Sequence, residues 1–309
     1  MEGLVEKAII YCFSGTGNTL KVANFIKDNL EKLGVSTDVF SIDYESYKAK
    51  SYPSPNDYDK VGIAYPIYGF NAPYLVNRFV KFLEKAKKSQ KVFIIKTSGE
   101  PFKMNNLSSG IMKRHLKHKG YDVLYEKHYL MPYNIMFRYP DGLVKQMYET
   151  SEKYSCISAN RIKNEERELL KGNVGAVIMG FICKLVWPGG PIIGRTFHPI
   201  KKKCTKCSLC IKRCPMKNIS VNKKNGFPKF GGHCAICMRC VMNCPANAIN
   251  AGIMNEWKVN PKYPFEEILK NEEICDNFVN KDTKGYFKLF SKYFNRMNNE
   301  IDEFNTKLQ

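Results

Sequence analysis

Two stretches of this chain, offset by 30 residues, carry the same cysteine pattern: residues 204–215 and residues 234–245 both read C-x2-C-x2-C-x3-C-P. Two intervening residues let three thiolates turn around one corner of an iron–sulfur cubane. The fourth cysteine, followed by a proline that forces a turn, points away and serves a second cluster. The expected ligand sets therefore cross between the copies. Cys204, Cys207, Cys210 and Cys244 would hold one [4Fe-4S] cluster, and Cys234, Cys237, Cys240 and Cys214 the other. Apolar flanks repeat as well, Ile211 and Ile219 matching Val241 and Ile249, so each copy supplies equivalent pieces of a shared core. Paired C-x2-C also builds four-thiolate zinc sites, but the third cysteine and trailing proline of each copy favour the cubane.

Twelve cysteines would suggest disulfides in a secreted protein, yet no charged start followed by an apolar run and small-residue cleavage site opens the sequence. Reduced, cytoplasmic, metal-holding thiols are the expectation. Cys12, Cys156, Cys183 and Cys275 lie outside the repeat on apolar or helical stretches and read as buried thiols. The longest apolar run, Val174 to Trp187, has 14 residues including Lys184. That is short of the ~20 a bilayer span needs, so no transmembrane segment is expected.

Lys and Arg number 49 against 29 Asp and Glu, a net charge of +20. The excess concentrates on residues 201–250, with 11 basic and no acidic side chains. These lysines form no stripe interleaved with aromatics, which excludes a nucleic-acid reader, and the basic face suits an acidic redox protein.

Upstream, Lys7 to Phe13 is an apolar run of strand length. It empties into Ser14-Gly15-Thr16-Gly17-Asn18-Thr19 ahead of a helical pattern through Leu33. Such a loop wraps a phosphate with backbone N–H groups and hydroxyls, helped by the positive end of the helix. It is neither a G-x-G-x-x-G nor a Gly-Lys-Ser/Thr loop, so a monophosphate fits better than a dinucleotide or triphosphate. Further strands read at Val35 to Ser41, Lys60 to Tyr65, Lys91 to Ser98 and Tyr121 to Tyr129, with helices near Tyr74 to Lys87 and Asn106 to His118. This alternation predicts an α/β fold with a parallel sheet covered on both faces, its ligand beyond the carboxyl ends of the strands. Two further loops lie there: Tyr65-Pro66-Ile67-Tyr68-Gly69-Phe70-Asn71-Ala72-Pro73 and Thr97-Ser98-Gly99-Glu100-Pro101. Tyr65, Tyr68 and Phe70 read equally as packing residues or as flavin contacts.

On these residues, about 5–130 resemble the flavodoxins, with a doubly wound, five-stranded parallel sheet that binds FMN. The resemblance implies phosphate contacts from Ser14, Thr16, Gly17, Asn18 and Thr19. It implies isoalloxazine contacts from Pro66, Tyr68 and Gly69 with Thr97, Ser98 and Gly99, in loops that depart from the usual flavodoxin aromatic and Gly-Asp pattern. With the cysteine repeat, the chain resembles flavodoxin–ferredoxin fusion proteins of anaerobic bacteria, including Met131-Pro132-Tyr133-Asn134-Ile135-Met136-Phe137-Arg138-Tyr139-Pro140-Asp141. In that segment Tyr133 and Asn134 are expected to approach the flavin or to bridge the domains.

The expected domains are residues 1–150, flavodoxin-like; 151–195, a helical and apolar connection; 196–252, a small α+β two-cluster ferredoxin-like unit; and 253–309, a helical extension. Within the connection, Pro188-Gly189-Gly190-Pro191 should stop any helix. A flavin takes electrons singly or in pairs and a cluster singly, so the expected function is electron transfer between two clusters and an FMN. Reduction of a small organic acceptor over the flavin is the alternative. No catalytic set appears, the five histidines are scattered, and His233, beside Cys234, is expected at most to tune its cluster.

Overall fold

Strand β1, Lys7–Cys12, is buried at every position after its first. A strand covered on both faces at the centre of a parallel sheet needs that continuous apolar run. In the computed structural model, which describes residues 5–172, 189–259 and 263–308, β1 is flanked by β2, Ser36–Ser41, and β3, Lys60–Pro66, both parallel to it. β4, Gln90–Ser98, and β5, Tyr121–Leu130, extend the sheet beyond β3 in the same direction. The order β2-β1-β3-β4-β5 is that of the flavodoxin-like doubly wound fold, whose switch point falls between β1 and β3.

Alternate residues of β1 feed two cores. Ala8, Ile10 and Cys12 meet helices α1, Asn18–Lys32, and the long helix Asp141–Lys163 that follows β5. Ile9, Tyr11 and Phe13 meet the helices Tyr74–Phe82 and Gly110–His118 on the opposite face. A five-residue helix α2, Tyr44–Lys48, closed by an Asp43–Ser46 capping box, precedes β3. With α2 in place the three helices are α3, α4 and, for Asp141–Lys163, α5. The latter runs through residue 150 and buries Leu143, Val144, Met147, Tyr154 and Ile157 against the sheet.

The small unit follows. Helix α6, Gly189–Thr196, leads to β6, His198–Pro199, then α7, Leu209–Lys212, and the hairpin of β7, Ile219–Val221, with β8, Pro228–Phe230. After α8, Arg239–Met242, strand β9, Ile249–Asn250, returns antiparallel to β6. Phe197, Ile219, Phe230, Met238, Val241 and Ile249 form its core. Gly189, Gly190 and Pro191 of the proline–glycine stretch belong to α6, while Pro188 lies outside the described residues.

The carboxyl-terminal segment folds back on the first unit. After α9, Phe265–Lys270, helix α10, Lys288–Leu308, lies along α5 and buries Phe290, Phe294 and Met297. The Tyr293 hydroxyl accepts from Leu130 N at 3.2 Å, fixing α10 to the end of β5. The apolar stretch Val174 to Trp187 and Cys183 lie outside the described residues. Among the described residues, no helix is long and apolar enough to cross a membrane.

Candidate functional site

The loop after β1 enters α1 through Gly17, whose φ of +112° is the left-handed region glycine tolerates. Ser14 Oγ accepts from Gly17 N at 3.1 Å, curling the loop, and no side chain caps the amino terminus of α1. A curled loop beside an uncapped helix start presents backbone donors and partial positive charge to an anion. Thr19 Oγ1 lies 2.7 Å from Thr97 Oγ1, and Asn18 Nδ2 donates to the Pro132 carbonyl at 2.8 Å. These two contacts draw the ends of β1, β4 and β5 together around one point. Thr16 is half-buried at the loop's tip.

The second loop makes a tight turn. Tyr68 and Asn71 exchange backbone hydrogen bonds of 2.9 and 3.0 Å, with Gly69 and Phe70 both at positive φ, 50° and 60°. This pair of left-handed residues matches the I′ hairpin turn, unfavourable for phenylalanine. The turn holds the Phe70 ring 6.2 Å from that of Phe102, beyond the third loop. Pro66 pairs with Thr97 in the sheet, and Ile67 N donates to the Thr97 carbonyl at 2.8 Å, so the two loops are adjacent. Tyr65 is core: it is fully buried, with its hydroxyl 3.0 Å from Ser108 Oγ. Tyr68 instead reaches the loop itself, its hydroxyl lying 2.9 Å from where a Cβ on Gly15 would stand.

In the third loop, Ser98 Oγ donates to the Glu100 carbonyl at 2.8 Å and lies 2.7 Å from His128 Nε2. Gly99 is covered by the Tyr133 ring, which a Cβ there would meet at 2.6 Å. The Tyr133 and Tyr286 hydroxyls both donate to the Glu100 carboxylate. Tyr133 thus sits over the third loop, while the next residue bridges to the carboxyl-terminal segment: the Asn134 carbonyl accepts from Val259 N at 3.0 Å. The contact between Glu100 and Tyr286 escaped sequence reading, because 186 positions separate them.

The two cysteine loops share backbone as well as sequence. Lys206, Ser208 and Lys217 in the first copy, and Ile236, Met238 and Asn247 in the second, are left-handed at positions 30 apart. Cys214 Sγ accepts from Asn218 N at 3.3 Å, and Cys244 Sγ from Ala248 N at 3.2 Å. The crossed sets come together. Cys204, Cys207, Cys210 and Cys244 line one cavity with Pro228, Ala248 and Ile249. Cys234, Cys237 and Cys240 lie in the electrostatic reach of Cys214. Among the described residues, no three His, Cys, Asp or Glu side chains close on a position for a single metal ion.

The first set is the outer one, with Cys207 exposed. The second set is inner: burial pushes the Cys234 thiol up to about 12 and raises those of Cys237 and Cys240. Metal ligation requires the thiolate, so a bound cationic centre would oppose this shift. Cys214, Ala235, Cys237 and Met216 pack into the core beside β1 and β3. A Cβ on Gly15 would stand 2.4 Å from the Cys237 carbonyl oxygen, so the loop after β1 and the inner cysteine loop are in direct backbone contact. His233 seals this seam, its ring 4.8 Å from that of Tyr44 and its Nδ1 3.1 Å from the Met216 carbonyl. Outside the repeat, Cys12 is buried, Cys156 half-buried and Cys275 exposed, the last against expectation, in a polar turn after α9.

The chain matches no protein-family model, and no curated protein matches it. Among solved structures, oxidised flavodoxin 2 from Bacillus cereus aligns at 13% identity and TM-score 0.36, covering 50% of this chain and 98% of that one. A flavodoxin of Streptococcus pneumonia TIGR4 aligns at 16% and 0.33, covering 49% and 98%. An FMN-dependent NADH-azoreductase from Bacillus anthracis, in complex with FMN, aligns at 10% and 0.35, covering 50% and 99%. The fold class rests on the strand order, which these scores leave unchanged: residues 7–163 form a flavodoxin-like α/β unit.

Proposed function

We propose that this chain is an electron-transfer protein holding two [4Fe-4S] clusters and one FMN in series, divided into a flavin unit and a cluster unit. The observation that carries the reading is the backbone contact between Gly15, in the phosphate loop, and Cys237, in the inner thiol set. The chemistry supplied by the bound groups would be one-electron transfer at each cluster and one- or two-electron transfer at the flavin.

The donor sets suit these groups. Ser14, Thr16, Gly17, Asn18 and Thr19 surround an uncapped helix start at the β1/β3 switch point, as a phosphate requires. Pro66, Tyr68 and Gly69 face Thr97, Ser98 and Gly99 across adjacent loops, where a planar ring would lie. Four thiols line the outer cavity, and four others share the inner site. The inner set abuts the phosphate loop and the outer set opens to solvent, so an electron would enter at the outer set.

The repeat itself supports this direction. Thr205, Lys206, Lys212 and Arg213 of the outer copy are replaced by Ala235, Ile236, Met242 and Asn243 in the inner one. The apolar copy lies against the first unit, and the basic copy faces out. Exposed Lys201, Lys202, Lys203, Lys206 and Lys212 surround the outer set and suit an acidic protein partner.

Anaerobic iron, acid-labile sulfide and flavin analysis, with EPR after reduction, tests the reading. The expected result is about eight Fe, about eight sulfide and one FMN per chain with interacting cluster signals. Zinc without flavin would overturn it.

A further inference from the structure

Arg239 lies inside the inner cysteine loop, between Met238 and Cys240, where the outer copy has Leu209. A guanidinium in an apolar register of the repeat needs partners, and it finds only backbone. Nη2 donates to the Ser14 carbonyl at 2.7 Å, Nε to the Gly15 carbonyl at 3.3 Å, and Nη1 to the Arg213 carbonyl at 3.3 Å. Two acceptors belong to the phosphate loop; the third directly precedes Cys214 of the inner set. One side chain therefore holds the nest and both arms of the inner thiol site.

The peptide plane gives this contact a second consequence. In a trans peptide the N–H points opposite to the C=O of the preceding residue. With the Ser14 and Gly15 carbonyls turned toward Arg239, the Gly15 and Thr16 amides are turned away from it, toward the loop's other face. These are the donors a phosphate nest needs. The fork of a guanidinium can hold adjacent carbonyls at once, which the single ammonium of lysine cannot do in the same geometry.

On the reading above, we propose that Arg239 is a positioning residue that couples the two kinds of cofactor site. Its guanidinium orients the amides that bind the flavin phosphate and fixes the inner thiol set against that loop. Flavin affinity and intramolecular electron transfer then depend on one residue that touches neither cofactor's reacting atoms.

The test uses the full chain, anaerobically loaded, as Arg239→Lys and Arg239→Met beside the wild type. Three readouts are compared: FMN affinity by fluorescence titration, hydrogen exchange over residues 13–19, and the rate at which flash-reduced clusters reduce the flavin. Compared at equal iron content, both variants should lose roughly tenfold in FMN affinity, exchange faster over residues 13–19 and transfer electrons roughly tenfold more slowly or worse. Wild-type affinity and exchange in Arg239→Met would overturn the proposal. Full recovery of all three readouts in Arg239→Lys would also overturn it, since charge alone would then suffice. A wild-type chain that takes up no FMN would instead sink the function proposed above, and that is seen before any variant is compared.

Discussion

The hydroxyls of Thr19 and Thr97 meet at 2.7 Å, joining the first turn of α1 to the end of β4 across the switch point of the sheet. Both residues are buried, at 1% and 2% exposure, so neither hydroxyl has water as an alternative partner. Thr19→Val keeps the shape and removes one hydroxyl, stranding Thr97. Thermal or denaturant unfolding should show a loss of about 1–3 kcal/mol, and FMN binding should weaken with the displaced loop. Unchanged stability would mean that Thr97 finds another acceptor.

Gly15 and Gly17 should respond differently to alanine although they share a loop. At Gly15 a methyl group meets the Cys237 carbonyl oxygen at 2.4 Å and the Tyr68 hydroxyl at 2.9 Å, so the two units must part. At Gly17 nothing lies within 4 Å, and the penalty comes from φ alone. Gly15→Ala should therefore expose the 234–240 loop to proteolysis and hydrogen exchange, whereas Gly17→Ala should leave that loop protected. Equal protection in both variants would refute the close seam.

Removing single thiols should sort the clusters by space, not by motif. Cys214 belongs to the first sequence copy but to the inner set, so Cys214→Ser should perturb the centre next to the flavin. Cys207→Ser should perturb the outer one. Each variant should keep about four of eight Fe and lose the EPR interaction between clusters. Only Cys207→Ser should leave flavin affinity at its wild-type value. A Cys207→Ser chain with weakened FMN binding would reverse the assignment of inner and outer.

The central strands β1 and β3 were legible because parallel strands buried on both faces need a nearly continuous apolar run, which each has after its leading lysine. The paired cysteine loops were legible because the sequence pattern repeats at 30 residues, and their left-handed residues recur with the same offset. Helix α2 is too short for periodicity to reveal, and α6 contains Pro191, which periodicity reads as a breaker. The surroundings of the third loop were the least legible part. They depend on Tyr133 covering Gly99, and on Tyr286 reaching Glu100 from the other end of the chain. Arg239 left one signal, an arginine where the other copy has Leu209, which acquires meaning only once Ser14 and Gly15 are beside it.

Acid should weaken the first unit through His128. Its ring is buried, and burial together with the charges of Lys96, Arg296 and Lys127 pushes its pKa down to about 3. The unfolded value is ~6.5. Between these values the unfolded chain binds a proton that the folded chain refuses, so His128's contribution is complete above pH ~6.5 and declines as the pH falls toward 3. Ser98 gives its own proton to the Glu100 carbonyl, so the bond at 2.7 Å is donated by His128 Nε2, and a glutamine amide can replace that donor without titrating. His128→Gln should consequently show a shallower fall in stability between pH 6.5 and 4 than the wild type, whatever its stability at pH 7. Parallel stability curves for the two proteins would mean that His128 titrates alike in the folded and unfolded chains, so that burial does not hold its ring neutral.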